Sequence, residues 1–80
     1  MDSKEILEKA KPIIADKLGI SEEEVLESKN FINDLGADSL ALVDITTSLE
    51  ELFGMVIPEE ESEKIQTVGQ MVGCIADHVK

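Results

Sequence analysis

Apolar residues recur along this chain in three runs of helical period, separated by polar and acidic stretches. In the first run Ile6, Leu7, Ala10, Ile13, Ile14 and Leu18 return every three or four positions, which lines one face of an α-helix. This stripe predicts a helix from about Ser3 to Leu18, stopped by Gly19. Pro12 sits inside it. An interior proline loses the bond to the carbonyl of Glu8 and costs about 3 kcal/mol, unless it opens a new helix from its first turn. The stripe keeps its phase across Pro12, so one kinked helix is expected. The second run, Leu42, Ile45, Leu49 and Phe53, ends at Gly54 and predicts a helix from Ser39 to about Phe53 with Asp38 as its N-cap. The third run, Val68, Met71, Val72, Ile75 and Val79, follows Thr67, with Gln70 three residues further on as in a capping box.

The stretches between these runs carry weaker signals. Ser21-Glu22-Glu23-Glu24 is another capping-box pattern and predicts a short helical turn to about Glu27. The connection from Ile20 to Ala37 is long for so small a chain, and Val25, Leu26, Phe31, Ile32 and Leu35 are expected to pin it to the core. Pro58 precedes a short helix, roughly Glu59 to Lys64, with acidic residues in the first turn as the helix dipole favours. Gly69 and Gly73 in the last helix each cost about 1 kcal/mol relative to alanine. Their spacing by four puts them on one face, consistent with tolerance, close packing or room for a guest chain. Alternating strand patterns and internal repeats are absent from the sequence. The expected fold is all-α: one domain over residues 1–80, a small up-and-down four-helix bundle with three main helices and one short one.

Charge narrows the function. Eighteen acidic residues face seven lysines and no arginine, for a net charge of −11. General nucleic-acid binding needs basic residues to displace counterions and is excluded. From Asn30 to Glu63 there are nine acidic residues and no basic one. That segment reads as a solvated face or as a surface that steers toward partners with basic patches. The single cysteine, the lack of a basic-then-apolar leader and the lack of a long apolar run point to a cytoplasmic protein without membrane insertion. A monomer is expected.

Ser39 is the candidate reactive group. It lies where Gly36-Ala37-Asp38 turns into the second helix, and a helix start offers unpaired N–H groups and a positive dipole end that favour a phosphate. Asp-Ser at a helix start is usually only a cap. A hydrolytic serine needs a base in hydrogen-bond reach, but the sole histidine is His78 near the C-terminus, and no Gly-x-Ser-x-Gly elbow surrounds Ser39. Asp34, Asp38 and Asp44 do not have EF-hand spacing. Cys74 and His78 are four apart but no second Cys or His pair exists, so no structural zinc site is expected.

The wider register resembles the phosphopantetheine attachment segment of acyl carrier proteins. The residues that carry the resemblance are Phe31-Ile32-x-Asp34-Leu35-Gly36-Ala37-Asp38-Ser39-Leu40, then Leu49 to Phe53, Ile57 to Glu61, and Lys64-Ile65-x-Thr67-Val68. The resemblance implies a carrier that is not itself an enzyme. A phosphopantetheinyl transferase would move 4′-phosphopantetheine from coenzyme A onto Ser39, and the arm would carry acyl groups as thioesters. Gly36 and Asp38 would shape the attachment turn. Leu40, Val43 and Thr47 fall outside the buried stripe and would form an apolar strip for partner enzymes of fatty-acid or polyketide synthesis, rimmed by Asp44, Glu50 and Glu51. The acyl chain is expected between the second and third helices, lined by Ile45, Leu49, Ile65 and Val68. Ala41, Leu52, Gly54 and Val56 stand where typical fatty-acid carriers often have acids. Fatty acid biosynthesis is the favoured role. A specialised polyketide or aminoacyl carrier and an unmodified acidic interaction module are the alternatives.

Overall fold

Each apolar stripe becomes a helix in the computed structural model, which describes residues 2–79. The helices are α1 (Ser3–Leu18), α2 (Ser39–Phe53), α3 (Glu59–Ser62) and α4 (Val68–His78). Their ends follow from side-chain chemistry. Asp2 caps α1 by accepting from the Glu5 N–H at 2.9 Å. Gly19 and Gly54 end α1 and α2 at φ 67° and 64°, a left-handed conformation that glycine adopts at no steric cost. At the start of α4, the Thr67 hydroxyl accepts from the Gln70 N–H at 3.1 Å and the Gln70 side chain accepts from the Thr67 N–H at 3.0 Å. α1 continues through Pro12, whose ring is exposed on the outer side.

α1 is the hub of the bundle, packing on both α2 and α4 and on a 3₁₀ turn at Glu22–Glu24. The core joins Ile6, Ala10 and Ile14 of α1, Ile45 and Leu49 of α2, and Val68, Met71, Val72 and Ile75 of α4. Each fully buried aliphatic or aromatic side chain contributes roughly 1.5–3 kcal/mol relative to exposure. α3 differs: it is four residues long, has no side-chain cap and buries no residue.

The long connection is held by backbone as well as by apolar anchors. Gln66 O accepts from the Phe31 N–H at 2.9 Å, Lys29 O from the Val68 N–H at 3.0 Å, and Glu27 O from the Gly69 N–H at 3.0 Å. Asn30 and Thr67 form an isolated antiparallel bridge within this stitch. The close approach explains Gly69, because a Cβ there would lie 3.1 Å from Glu27 O.

Three expectations are corrected. The turn after Ser21 is 3₁₀ and ends at Glu24, short of Glu27. Val25 and Phe31 are buried as loop anchors, but Leu26 is 46% and Ile32 55% exposed. Neighbouring residues in an extended or turning chain point to opposite sides, and Val25 and Phe31 take the inward positions. α3 ends at Ser62 because Lys64 and Ile65 donate to the carbonyls three residues back, a tightening that brings Ile65 into the core.

Candidate attachment site

The turn before Ser39 is built in layers. The Asn30 side chain accepts from the N–H groups of Ile32 and Asn33, each at 3.0 Å, while Asp34 Oδ2 accepts from the Asn30 N–H at 2.8 Å. Asp34 is therefore a loop fastener. Gly36 takes φ 72°, in the region that favours glycine, and Ala37 is then drawn inward with its N–H donated to Phe31 O at 2.8 Å. Asp38 is extended and its carboxylate accepts from the Ala41 N–H at 2.8 Å, which fixes the first turn of α2.

Ser39 is the first residue of α2 and is exposed. Its hydroxyl has no hydrogen-bond partner among the described residues, and the N–H groups of Ser39 and Leu40 have no acceptor there. His78, the one histidine, pairs instead with Glu61 on α3 at 2.9 Å. The thiol of Cys74 is pushed up by partial burial, then by the carboxylates of Glu61 and Asp77, which keeps it protonated and a poor nucleophile at neutral pH.

Beside Ser39 a cavity of about 420 Å³ opens between α2 and α3. Its walls include Ser39, Leu42, Val43, Thr46, Ile57 and Glu63. Thr46 donates its hydroxyl to Leu42 O at 2.8 Å, so its polar end is already satisfied. The residues expected around an acyl chain, Ile45, Leu49, Ile65 and Val68, are not among its walls. Ile45, Leu49 and Val68 are fully buried in the core, and Ile65 is 6% exposed and borders two other cavities. α2 turns Ile45 and Leu49 into the core, while Leu42, at the edge of the same stripe, borders the cavity together with Val43 and Thr46. Ile32, read as a core anchor, stands at this cavity with its side chain half exposed.

The expected outer strip is present as a surface. Leu40 is 81% and Val43 62% exposed and Thr47 is exposed, and Leu52 and Val56 are further exposed apolar residues. The acids around it have individual duties. Lys17 Nζ reaches from α1 to 3.2 Å from Asp44 Oδ2, so the basic-free segment receives a lysine through space. Glu50 Oε2 accepts from the Ile57 N–H at 2.6 Å and ties the end of α2 to the α3 side of the cavity. Glu51 is exposed. Neither tie has a sequence signal beyond complementary residue types.

Three comparisons bear on this geometry. The phosphopantetheine attachment site family matches residues 8–75. An acyl carrier protein of Rubrobacter xylanophilus is 51% identical over 78 residues, covering 98% of this chain and 96% of that one. An acyl carrier protein of Clostridium acetobutylicum is 47% identical over 75 residues, covering 94% and 97%. Among solved structures, an acyl carrier protein from Enterococcus faecalis, described for its high thermal stability, superposes with a TM-score of 0.79 at 36% identity, covering 96% of this chain and 98% of that one.

Proposed function

This chain belongs to the acyl carrier protein family, and we propose that Ser39 is the residue on which its 4′-phosphopantetheine arm is carried. One observation supports the assignment most. Ser39 presents an unpartnered, exposed hydroxyl at the start of α2 and at the same time forms part of the wall of the α2–α3 cavity. An arm rooted there can lead its cargo outward to an enzyme or back into that cavity. The Asp38 cap holds the turn, and Gly36 gives the approach its left-handed bend.

The arm supplies the thiol on which acyl groups ride as thioesters. The protein side chains bind, orient and shield. Leu42, Val43, Thr46 and Ile57 offer an apolar wall to a fatty chain, where each buried methylene contributes up to about 0.8 kcal/mol. Leu40, Val43 and Thr47 form the contact strip for the transferase and the synthase enzymes, and Asp44 and Glu51 steer basic partners toward it. We place the protein in fatty acid synthesis in the cytoplasm, as a monomer. No helix among the described residues is long and apolar enough to cross a membrane. A dedicated polyketide carrier is a second reading, favoured by the first turn of α2, which has no acidic residue.

Intact-protein mass spectrometry tests the assignment. Incubation with coenzyme A and a transferase adds about 340 Da, the mass of the arm, to the natural sequence and nothing to Ser39→Ala. Loading of Ser39→Ala would overturn it. Loading rates that do not fall with ionic strength would refute the steering role of the acids.

A further inference from the structure

Outside the cavity beside Ser39, three side chains of different chemistry converge. A carboxylate oxygen of Glu61, the Sγ of Cys74 and a ring nitrogen of His78 all lie within 4.8 Å of one another. We propose that these residues form a binding site for a divalent cation of the zinc class, which fastens α3 to α4.

Cys74 and His78 stand four residues apart on α4 and so project from one face. Glu61 comes from α3, and its carboxylate is 2.9 Å from His78 Nε2. Glu61 and Cys74 border a cavity of about 330 Å³ whose walls also include Lys64, Gly73 and Asp77. The approach is open at Gly73, where even a Cβ would meet nothing within 4 Å. Asp77 adds negative charge to the wall and Lys64 opposes it.

The donor set selects the ion. Sulfur, imidazole nitrogen and carboxylate oxygen are all zinc ligands, whereas magnesium and calcium prefer oxygen alone. Bond lengths of about 2.0–2.3 Å place tetrahedral donors roughly 3.4–3.7 Å apart, so the three groups need only a modest adjustment: the Glu61–His78 pair at 2.9 Å parts slightly and the Cys74 sulfur draws in. Glu61 and His78 are partly exposed and free to make it. Water completes the fourth position. The site uses three ligands that chain order disguises: the sequence shows the Cys74–His78 pair, and only the fold adds Glu61. Its consequence is mechanical, because α3 has no side-chain cap and forms one wall of the cavity beside Ser39.

The test uses the full chain in its natural sequence and with Ser39→Ala, which removes the additional thiol of an arm on Ser39. Each is titrated with Zn²⁺ and with Co²⁺ in the presence of excess Mg²⁺. One equivalent should bind in both, with a thiolate-to-cobalt charge-transfer band, a higher melting temperature and slower amide exchange in α3. Cys74→Ser and His78→Ala should each weaken binding roughly 100-fold, at or beyond the upper end of the loss seen when supporting ligand shells are removed, and Glu61→Gln about 10-fold. Circular dichroism should stay helical in each variant, since none of these residues is buried in the core. Equal affinity in the natural sequence and Cys74→Ser, or full displacement by Mg²⁺, would overturn the site and leave only diffuse binding to acidic surface.

Discussion

α3 and α4 follow one another in the chain and are held in opposite ways. α4 has a reciprocal capping box, four buried apolar residues and a backbone stitch to residues 27–31. α3 has no side-chain cap and no buried residue, and its side-chain ties to the rest of the molecule are few, chiefly the Glu61–His78 pair. The lesson is a division of labour. A small bundle must commit its limited apolar surface to a few helices, and here α1, α2 and α4 receive it. α3 is left as a wall that can yield, beside the cavity that includes Ser39. Local opening free energies vary in this way within one protein, and the elements that admit ligands come from the weak end.

The contrast breaks most sharply through the core. Met71→Ala should cost about 2–5 kcal/mol, while Glu60→Ala on the exposed side of α3 should stay within about 0.5 kcal/mol. Urea denaturation of both variants measures the ratio, and comparable losses would mean that α3 is as integral as α4. A smaller effect is expected at the tie between α2 and the α3 side. Glu50→Ala removes a charged acceptor from the part-buried Ile57 N–H and should cost about 1–2 kcal/mol. Amide exchange should then accelerate in residues 57–62 and not in α4, whereas Glu51→Ala should change neither.

How far the sequence foretold this division depends on the kind of signal. The bounds of α1 and α2 and the start of α4 were legible because period and caps are local: Asp38 before Ser39, Thr67 before Gln70, glycine after Leu18 and Phe53. The exposed strip at Leu40, Val43 and Thr47 was legible as the complement of the stripe in α2. The cavity lining was not. α2 is apolar on two adjacent faces, and periodicity alone does not say which one meets α3; Ile45 and Leu49 proved to face the core, and Leu42, Val43 and Thr46 the cavity. Leu26 and Ile32 misled for a related reason, because a loop residue's direction depends on turn geometry such as the Asn30 side-chain bonds. Lys17–Asp44, Glu50–Ile57 and Glu61–His78 join separate segments, and no local pattern announces their register.

The smallest expected effect concerns the two glycines of α4. Gly73→Ala places a methyl in open space and should stabilise by about 1 kcal/mol through helix propensity. Gly69→Ala would set its Cβ 3.1 Å from Glu27 O, a backbone atom fixed by its own bond to the Gly69 N–H. It should forfeit that gain and end net destabilising. Thermal melts of the pair decide the point: equal stabilisation would show that the stitch at Glu27 is slack.

That stitch also has a kinetic meaning. Helices close over contacts four residues apart, yet Asn30 meets Thr67 across 37 positions of chain. The entropy of closing so long a loop must be met before the pairing returns anything, so the bridge is expected to form after the individual helices. Loosening it should then speed unfolding and leave the folding rate nearly unchanged. A newly made chain would therefore possess its helices, Ser39 among them, before the last seam of the bundle is sewn.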